Sequence, residues 1–274
     1  MLFVAALVGL TCAPALMAVN VPPVAPDEAA TFARLPGAEP VEFATEDGVT
    51  LAGWYAPLRN GAAVVVRHGA GRSTAGSVVA HAELLASAGY GVLVTDARGH
   101  GRSGGRAMDW GWYGERDVAA AVSYLVSRDD VDHRRIGVVG MSMGGEEAIG
   151  AIGADDRIGA VVAEGATVRI AGDNAWLSDE YGWRGSLQEV IDDVRFGLTG
   201  LLTDAPRPTT LASAASSAAP RPILLITAGR VDDEMHAAEY VRRAAPGSVS
   251  VWTVPGAGHT DGPTVARAEW ARRW

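Results

Sequence analysis

Lysine is missing from this 274-residue chain: all 23 basic residues are arginine. That removes a lysine Schiff base or general base from consideration. Cysteine occurs once, as Cys12, which excludes an intramolecular disulfide and a cysteine-rich zinc site. The arginines form no basic stripe and are outnumbered by 32 acidic residues, for a formal charge of −9. Nucleic acid is therefore not an expected partner. There is no polar low-complexity tract and no internal repeat, and hydrophobic residues make up 48% of the chain, enough to bury a sizeable core.

Charge is also missing locally. No charged side chain occurs between Met1 and Pro26, and Met1 to Val19 is almost continuously apolar. A membrane span needs about 20 such residues, and Gly9 and Pro14 weaken a helix there without forbidding it. Residues 1–26 thus predict an anchor or a signal segment, with Ala13-Pro14-Ala15 as a cleavage candidate, and a membrane-anchored or secreted protein. The plainer alternative is an apolar helix packed on the body. Residues 27–40, rich in Pro and Ala, read as a linker into a folded domain over 41–274.

From Val41 onward, short apolar runs alternate with longer amphipathic stretches. Val41–Thr45 and Leu51–Pro57 flank the turn Glu46-Asp47-Gly48 and suggest an opening hairpin. Ala62–Arg67, Gly91–Thr95, Ile136–Gly140, Ala160–Ala163, Ile223–Thr227 and Val249–Val254 lack clean alternation, as expected of strands buried on both faces. Helix candidates lie between them at Ser77–Ser87, Glu115–Ser127, Gly144–Ile152, Glu234–Ala244 and Thr264–Arg273. This order predicts an α/β fold with a doubly wound, mostly parallel sheet of eight strands. Ligands then bind beyond the C-terminal strand ends. About 168–220 the rhythm breaks into helical runs near Leu187–Leu202 and Leu211–Ala219, too long for a plain connection. We read this insertion as a helical cap that excludes water from a site.

Gly140-Met-Ser142-Met-Gly144 follows a predicted strand and opens a predicted helix. In that context the sharp turn holds the Ser142 hydroxyl out at a helix N-terminus, where developing negative charge is favoured. A serine hydroxyl is a weak nucleophile and needs a base. His259, in the Gly-rich loop after the last strand, is the candidate; His81, His133 and His236 read as surface residues. Three consecutive carboxylates follow Gly229. We rank Asp232 first as the acid that orients the histidine, then Asp233, then Glu234. The turn Arg67-His68-Gly69-Ala70 can aim a backbone amide at an oxyanion, so the amides of Ala70 and Met143 are the expected donors and His68 a turn-stabilising side chain. Trp110, Trp112, Tyr113, Trp176 and Trp183 are candidates to line a pocket.

Together, His68-Gly69, Asp96-Ala-Arg98-Gly99-His100-Gly101-Arg-Ser103-Gly104, Gly140-Met-Ser142-Met-Gly144-Gly145, the carboxylates after Gly229 and Gly258-His259 give a resemblance over 41–274. The chain resembles the α/β-hydrolase superfamily, most of all its bacterial branch of serine esterases, thioesterases and peptidase-like hydrolases. The resemblance implies a Ser–Asp–His triad, no metal and no organic cofactor, with Arg98 pinning loops. It departs from dienelactone hydrolases, whose elbow carries Cys, and from haloalkane dehalogenases, whose elbow carries Asp. The expected activity is hydrolysis of a small-molecule ester or related acyl bond through an acyl-enzyme. Amide or thioester hydrolysis on the same residues, and a non-catalytic membrane-tethered binding protein, are the alternatives.

Overall fold

Valine-rich runs form the middle of the sheet because neither of their faces meets water. The computed structural model describes residues 2–273, residues 2–7 by their backbone only. Met1 and Trp274, outer bounds of the expected N-terminal segment and of the folded domain, lie outside the described residues. The strands are β1 (Glu39–Ala44), β2 (Thr50–Ala56), β3 (Ala63–Arg67), β4 (Gly91–Thr95), β5 (Ile136–Met141), β6 (Ala160–Glu164), β7 (Ile223–Ala228) and β8 (Val249–Val254). Among the described residues they make one eight-stranded sheet in the order β1-β2-β4-β3-β5-β6-β7-β8. The pairs β1–β2 and β2–β4 are antiparallel and every other pair is parallel. This is the doubly wound, mostly parallel α/β sheet that the sequence pattern predicts.

The helices are α1 (Leu2–Val19), α2 (Val79–Ser87), α3 (Gly114–Val126), α4 (Met143–Ala154), α5 (Leu177–Tyr181), α6 (Trp183–Leu202), α7 (Leu211–Ala218), α8 (Asp232–Ala244), α9 (Gly262–Val265) and α10 (Arg267–Arg272). Alternate residues of the strands feed two cores. Val64, Val66, Val92, Val94 and Met141 pack with Val79, Ala82 and Leu85 of α2 and Trp270 of α10. Val65, Leu93, Val138, Val161 and Leu225 pack with α3, α4, α7 and α8 on the other face. Each such Val, Leu or Met side chain contributes about 1.5–3 kcal/mol on burial.

Two expectations about the flanking segments change. The membrane or signal segment over 1–26 finds no support: α1 packs along α6, burying Thr11, Ala15, Ala18 and Val19. Among the described residues no helix is long and apolar enough to cross a membrane. The expected linker over 27–40 is docked. Phe32 stacks on Trp54 at 4.7 Å, the Asp27 carboxylate accepts from the Gly76 amide and the Thr74 hydroxyl, and β1 already begins at Glu39.

The insertion divides in two. The buried face of α7, Leu211, Ala214, Ala215 and Ala218, belongs to the core shared with α4 and α8. Helices α5 and α6 stand outside that core. Asp192 of α6 is fully buried and accepts from Asn174 Nδ2 at 2.6 Å, Gln188 Nε2 at 2.9 Å and Arg195. That network fixes α6 to the turn before α5.

Candidate active site

The chain leaves β3 for β4 on one side and then returns to β5 on the other, so its winding direction switches between β3 and β5. A crevice opens above such a point, and Ser142 stands there, between β5 and α4. Its backbone has φ 53° and ψ −124°, a left-handed conformation that costs a non-glycine residue about 1–3 kcal/mol. The neighbours explain why it is held. The Ser142 amide donates to the Glu164 carbonyl at 2.7 Å. A Cβ on Gly140 would lie 1.9 Å from the Gly144 carbonyl oxygen, and one on Gly144 would lie 2.6 Å from that of His68. Strand, helix and the loop after β3 therefore meet too closely for side chains at either glycine.

That contact also sets the surroundings of Ser142. A Cβ on Gly69 would sit 3.2 Å from Ser142 Cβ, so the loop leading to Ala70 lies against the serine from one side. Met143 is the first residue of α4, where helix amides carry partial positive charge. Ala70 and Met143 thus follow residues in direct contact at the head of α4.

His259 lies in the loop after β8. Its imidazole covers Gly165, where a Cβ would be 2.8 Å from Cε1; a side chain at 165 would displace it. Ser142 and His259 are thereby fixed to consecutive residues, Glu164 and Gly165, at the end of β6. Besides Ser142, Thr260 is the non-glycine residue with positive φ (58°) among those described, so both backbone outliers belong to this region. The His259 loop is held by the Glu164 carboxylate, which accepts from the Gly262 amide at 2.7 Å and from Trp270 Nε1 at 3.0 Å. His81 stands 3.5 Å from that carboxylate and is buried, not on the surface as the sequence suggested.

The carboxylate behind the histidine differs from the expected one. His259 Nδ1 bonds Glu234 Oε1 at 2.6 Å, while Glu234 Oε2 accepts from the Ala228 amide at 2.7 Å. Glu234 is 1% exposed. Asp232 and Asp233 are both exposed, and Asp233 instead accepts from the Tyr181 hydroxyl at 2.7 Å. The reason is helical phase. All three residues lie in the first turn of α8, and its buried face is Glu234, Ala237, Ala238 and Val241. This i, i+3, i+4, i+7 pattern was present in the sequence and selects Glu234. The bond to Glu234 is the main cause that raises the His259 pKa above its ordinary value, against partial burial.

Beneath the crevice lies a network of buried charges. Arg67 is wholly buried and bonds Glu147 and Thr95. Arg98 forks onto Asp117 and Asp47 and lies over the Tyr113 ring, pinning loops as the resemblance implied. Burial pushes Glu147 up to about 7, opposed by Arg67. It also pushes Glu146 up to about 7. Glu146 Oε1 accepts from the Thr167 and Val168 amides and so fixes the loop after β6.

A cavity of about 590 Å³ adjoins His259 and Glu234, with walls from Val168, Trp176, Leu177, Tyr181 and the α6 face carrying Gln188. Of the aromatic candidates, Trp176 lines it. Trp183 is 73% exposed, and Trp112 is buried with its Nε1 donating to the Arg169 carbonyl. A depression of about 690 Å³ at the opposite ends of the strands, around Ala63, Ile136 and Ala160, holds no such constellation. Among the described residues no group of three or more His, Cys, Asp or Glu could hold a metal ion.

Residues 59–207 match the family described as serine aminopeptidase, S33. The matched segment contains Ser142 and ends before Glu234 and His259. The uncharacterized protein YfhR of Escherichia coli is 34% identical over 131 residues, 44% of each chain. The uncharacterized protein Rv2307c of Mycobacterium tuberculosis is 38% identical over 122 residues, 42% of this chain and 41% of its own. The chain thus spans less than half the length of these curated relatives. A solved structure of the Pyrococcus furiosus esterase Pf2001 superposes with a TM-score of 0.68 at 25% identity, covering 93% of this chain and 94% of that one.

Proposed function

The chain belongs to the serine aminopeptidase S33 family of α/β-hydrolases, and from that premise we propose that it hydrolyses carboxylic esters through Ser142, His259 and Glu234. The supporting observation is the 2.6 Å bond between His259 Nδ1 and the buried Glu234, in a loop fixed beside the strained Ser142. With Nδ1 engaged, Nε2 is the nitrogen left to take the Ser142 proton as the hydroxyl oxygen attacks the carbonyl. The amides of Ala70 and Met143 receive the oxyanion. Collapse of the tetrahedral intermediate expels the alcohol, which takes the proton from His259. Water activated by His259 then attacks the acyl-Ser142 ester and releases the acid.

The fold shared with a solved esterase favours esters, and the cavity suits small to medium acyl groups. The family description favours a second reading, amide hydrolysis by the same residues. The test is turnover of p-nitrophenyl acetate and butyrate and of aminoacyl p-nitroanilides by the chain and by Ser142→Ala. Ester turnover that falls by about 10³-fold or more in the variant is the expected result. Anilide turnover alone would select the second reading. Wild-type rates in Ser142→Ala would overturn both.

A further inference from the structure

Asp233 does not serve His259, yet it is not idle: it receives the hydroxyl of Tyr181 at 2.7 Å across from another element. Tyr181 ends α5, the short helix that supplies part of the cavity wall. Two further contacts join the same elements. The ring of His236, on α8, stacks on Trp176 with centroids 5.5 Å apart and planes 19° apart. His236 Nδ1 also lies 3.5 Å from Glu180 Oε2. Trp176 and Tyr181 line the cavity beside His259, and Asp233 and Glu234 line it from the α8 side. The wall and the turn carrying Glu234 therefore meet through adjacent residues of α8. Asp233 turns toward the cap and Glu234 toward His259.

We propose that Tyr181 and Asp233 are positioning residues for substrate selection. Their hydrogen bond, with the Trp176–His236 stack, fastens the aromatic wall to the first turn of α8. The substrate class this favours is an ester whose apolar group is long enough to reach Trp176. A short acyl group, which does not reach the wall, is indifferent to the fastening. This rests on the ester-hydrolase reading above. The Asp233 carboxylate pushes the Tyr181 hydroxyl up to about 12, so the phenol stays protonated and can donate throughout the physiological range.

The experiment measures KM and kcat for p-nitrophenyl acetate and octanoate in the full chain, with Tyr181→Phe, Asp233→Ala, Asp233→Asn and the double variant Tyr181→Phe/Asp233→Ala. Loss of one hydrogen bond predicts a KM for octanoate raised about 3–10-fold in Tyr181→Phe and in Asp233→Ala, with a smaller change for acetate. The double variant is expected to be no worse than either single one, since both remove the same contact. Asp233→Asn keeps an acceptor for the phenol and should restore the wild-type KM, which a purely electrostatic effect on Glu234 would not allow. Amide hydrogen exchange over 174–182 is the second readout. It should quicken in Tyr181→Phe and Asp233→Ala and not in Asp233→Asn. Multiplicative effects in the double variant, equal shifts for both esters, or unchanged exchange in both single variants would overturn the proposal. Absence of ester turnover in the wild type would instead overturn the function proposed above, while the exchange result would still decide whether the wall is fastened.

Discussion

His68 and His259 follow β3 and β8 at the same end of the sheet, and their neighbours give them opposite properties. His68 is fully buried. Its Nε2 accepts from the Ala97 amide at 2.9 Å, so its Nδ1 carries the proton and donates to the Gly69 carbonyl at 2.7 Å. Burial, aided by the positive charge of Arg67, pushes its pKa down to about 3. Both nitrogens are occupied and the ring is locked neutral, which makes it a strut for the loop leading to Ala70. His259 is half exposed, has a carboxylate behind Nδ1, and has its pKa raised. Position after a strand at this end of the sheet does not distinguish these two rings. The difference is whether one nitrogen stays available while the other is backed by a negative charge.

The largest effect that could break this contrast comes from removing the His259 ring. His259→Ala is expected to lower kcat for p-nitrophenyl butyrate by roughly 10³–10⁶-fold, since nucleophile and base act as a unit. Its melting temperature should also fall, because the buried Glu234 Oε1 loses its partner, so kcat is compared on protein shown to be folded. A folded His259→Ala protein with wild-type kcat would show that the contrast has no chemical meaning.

Glu234→Gln sharpens the comparison by removing only the charge behind the ring. A neutral partner neither holds the same tautomer nor stabilises the imidazolium, so kcat should fall by about 10²–10⁴-fold. The base must be neutral to accept a proton, so kcat/KM of the wild type should rise with pH through an inflection above 6.5, the ordinary imidazole value. In Glu234→Gln the residual activity should inflect at lower pH. The stability linkage has the matching sign: the raised folded-state pKa makes the His259–Glu234 contribution full below about pH 6.5, and it is lost as pH rises through the folded-state value. Asp232→Asn, at an exposed position, should stay within about twofold of wild type in kcat. A profile unmoved by Glu234→Gln, or a collapse in Asp232→Asn, would reassign the acid.

What the sequence made legible follows from which signals are local. The strands of the sheet were readable because two-sided burial leaves unbroken runs such as Val64-Val-Val66, and the serine turn was readable because close approach demands glycine at 140 and 144. The carboxylate that bonds His259 was ranked last because Asp232, Asp233 and Glu234 are chemically alike, and only the direction of the first turn of α8 separates them. That direction is carried by the periodicity of Ala237, Ala238 and Val241, one to two turns further along the helix. The first 26 residues are ambiguous for a related reason. An uncharged apolar stretch states that water is avoided, not by what, and here small residues such as Ala15 and Ala18 let α1 approach α6. The Arg67–Glu147 pair, 80 residues apart in sequence, had no local signal at all.

The smallest expected effect tests the strut itself. His68→Gln keeps an oxygen that can take the Ala97 amide but loses the donor to Gly69, so unfolding free energy at pH 8 should drop by about 1–3 kcal/mol. Its pH dependence is more telling. A histidine held neutral to about pH 3 in the folded state, against an ordinary value of 6.5, binds a proton on unfolding throughout the interval between. Its stability contribution is therefore full above about pH 6.5 and is lost as pH falls toward 3, at up to about 1.4 kcal/mol per pH unit. Glutamine does not titrate, so urea unfolding of His68→Gln between pH 6 and 4 should lose this slope, and wild type and variant should converge as acid is added. Parallel stability curves over that range would mean that His68 protonates in the folded protein, and the contrast with His259 would then rest on exposure alone.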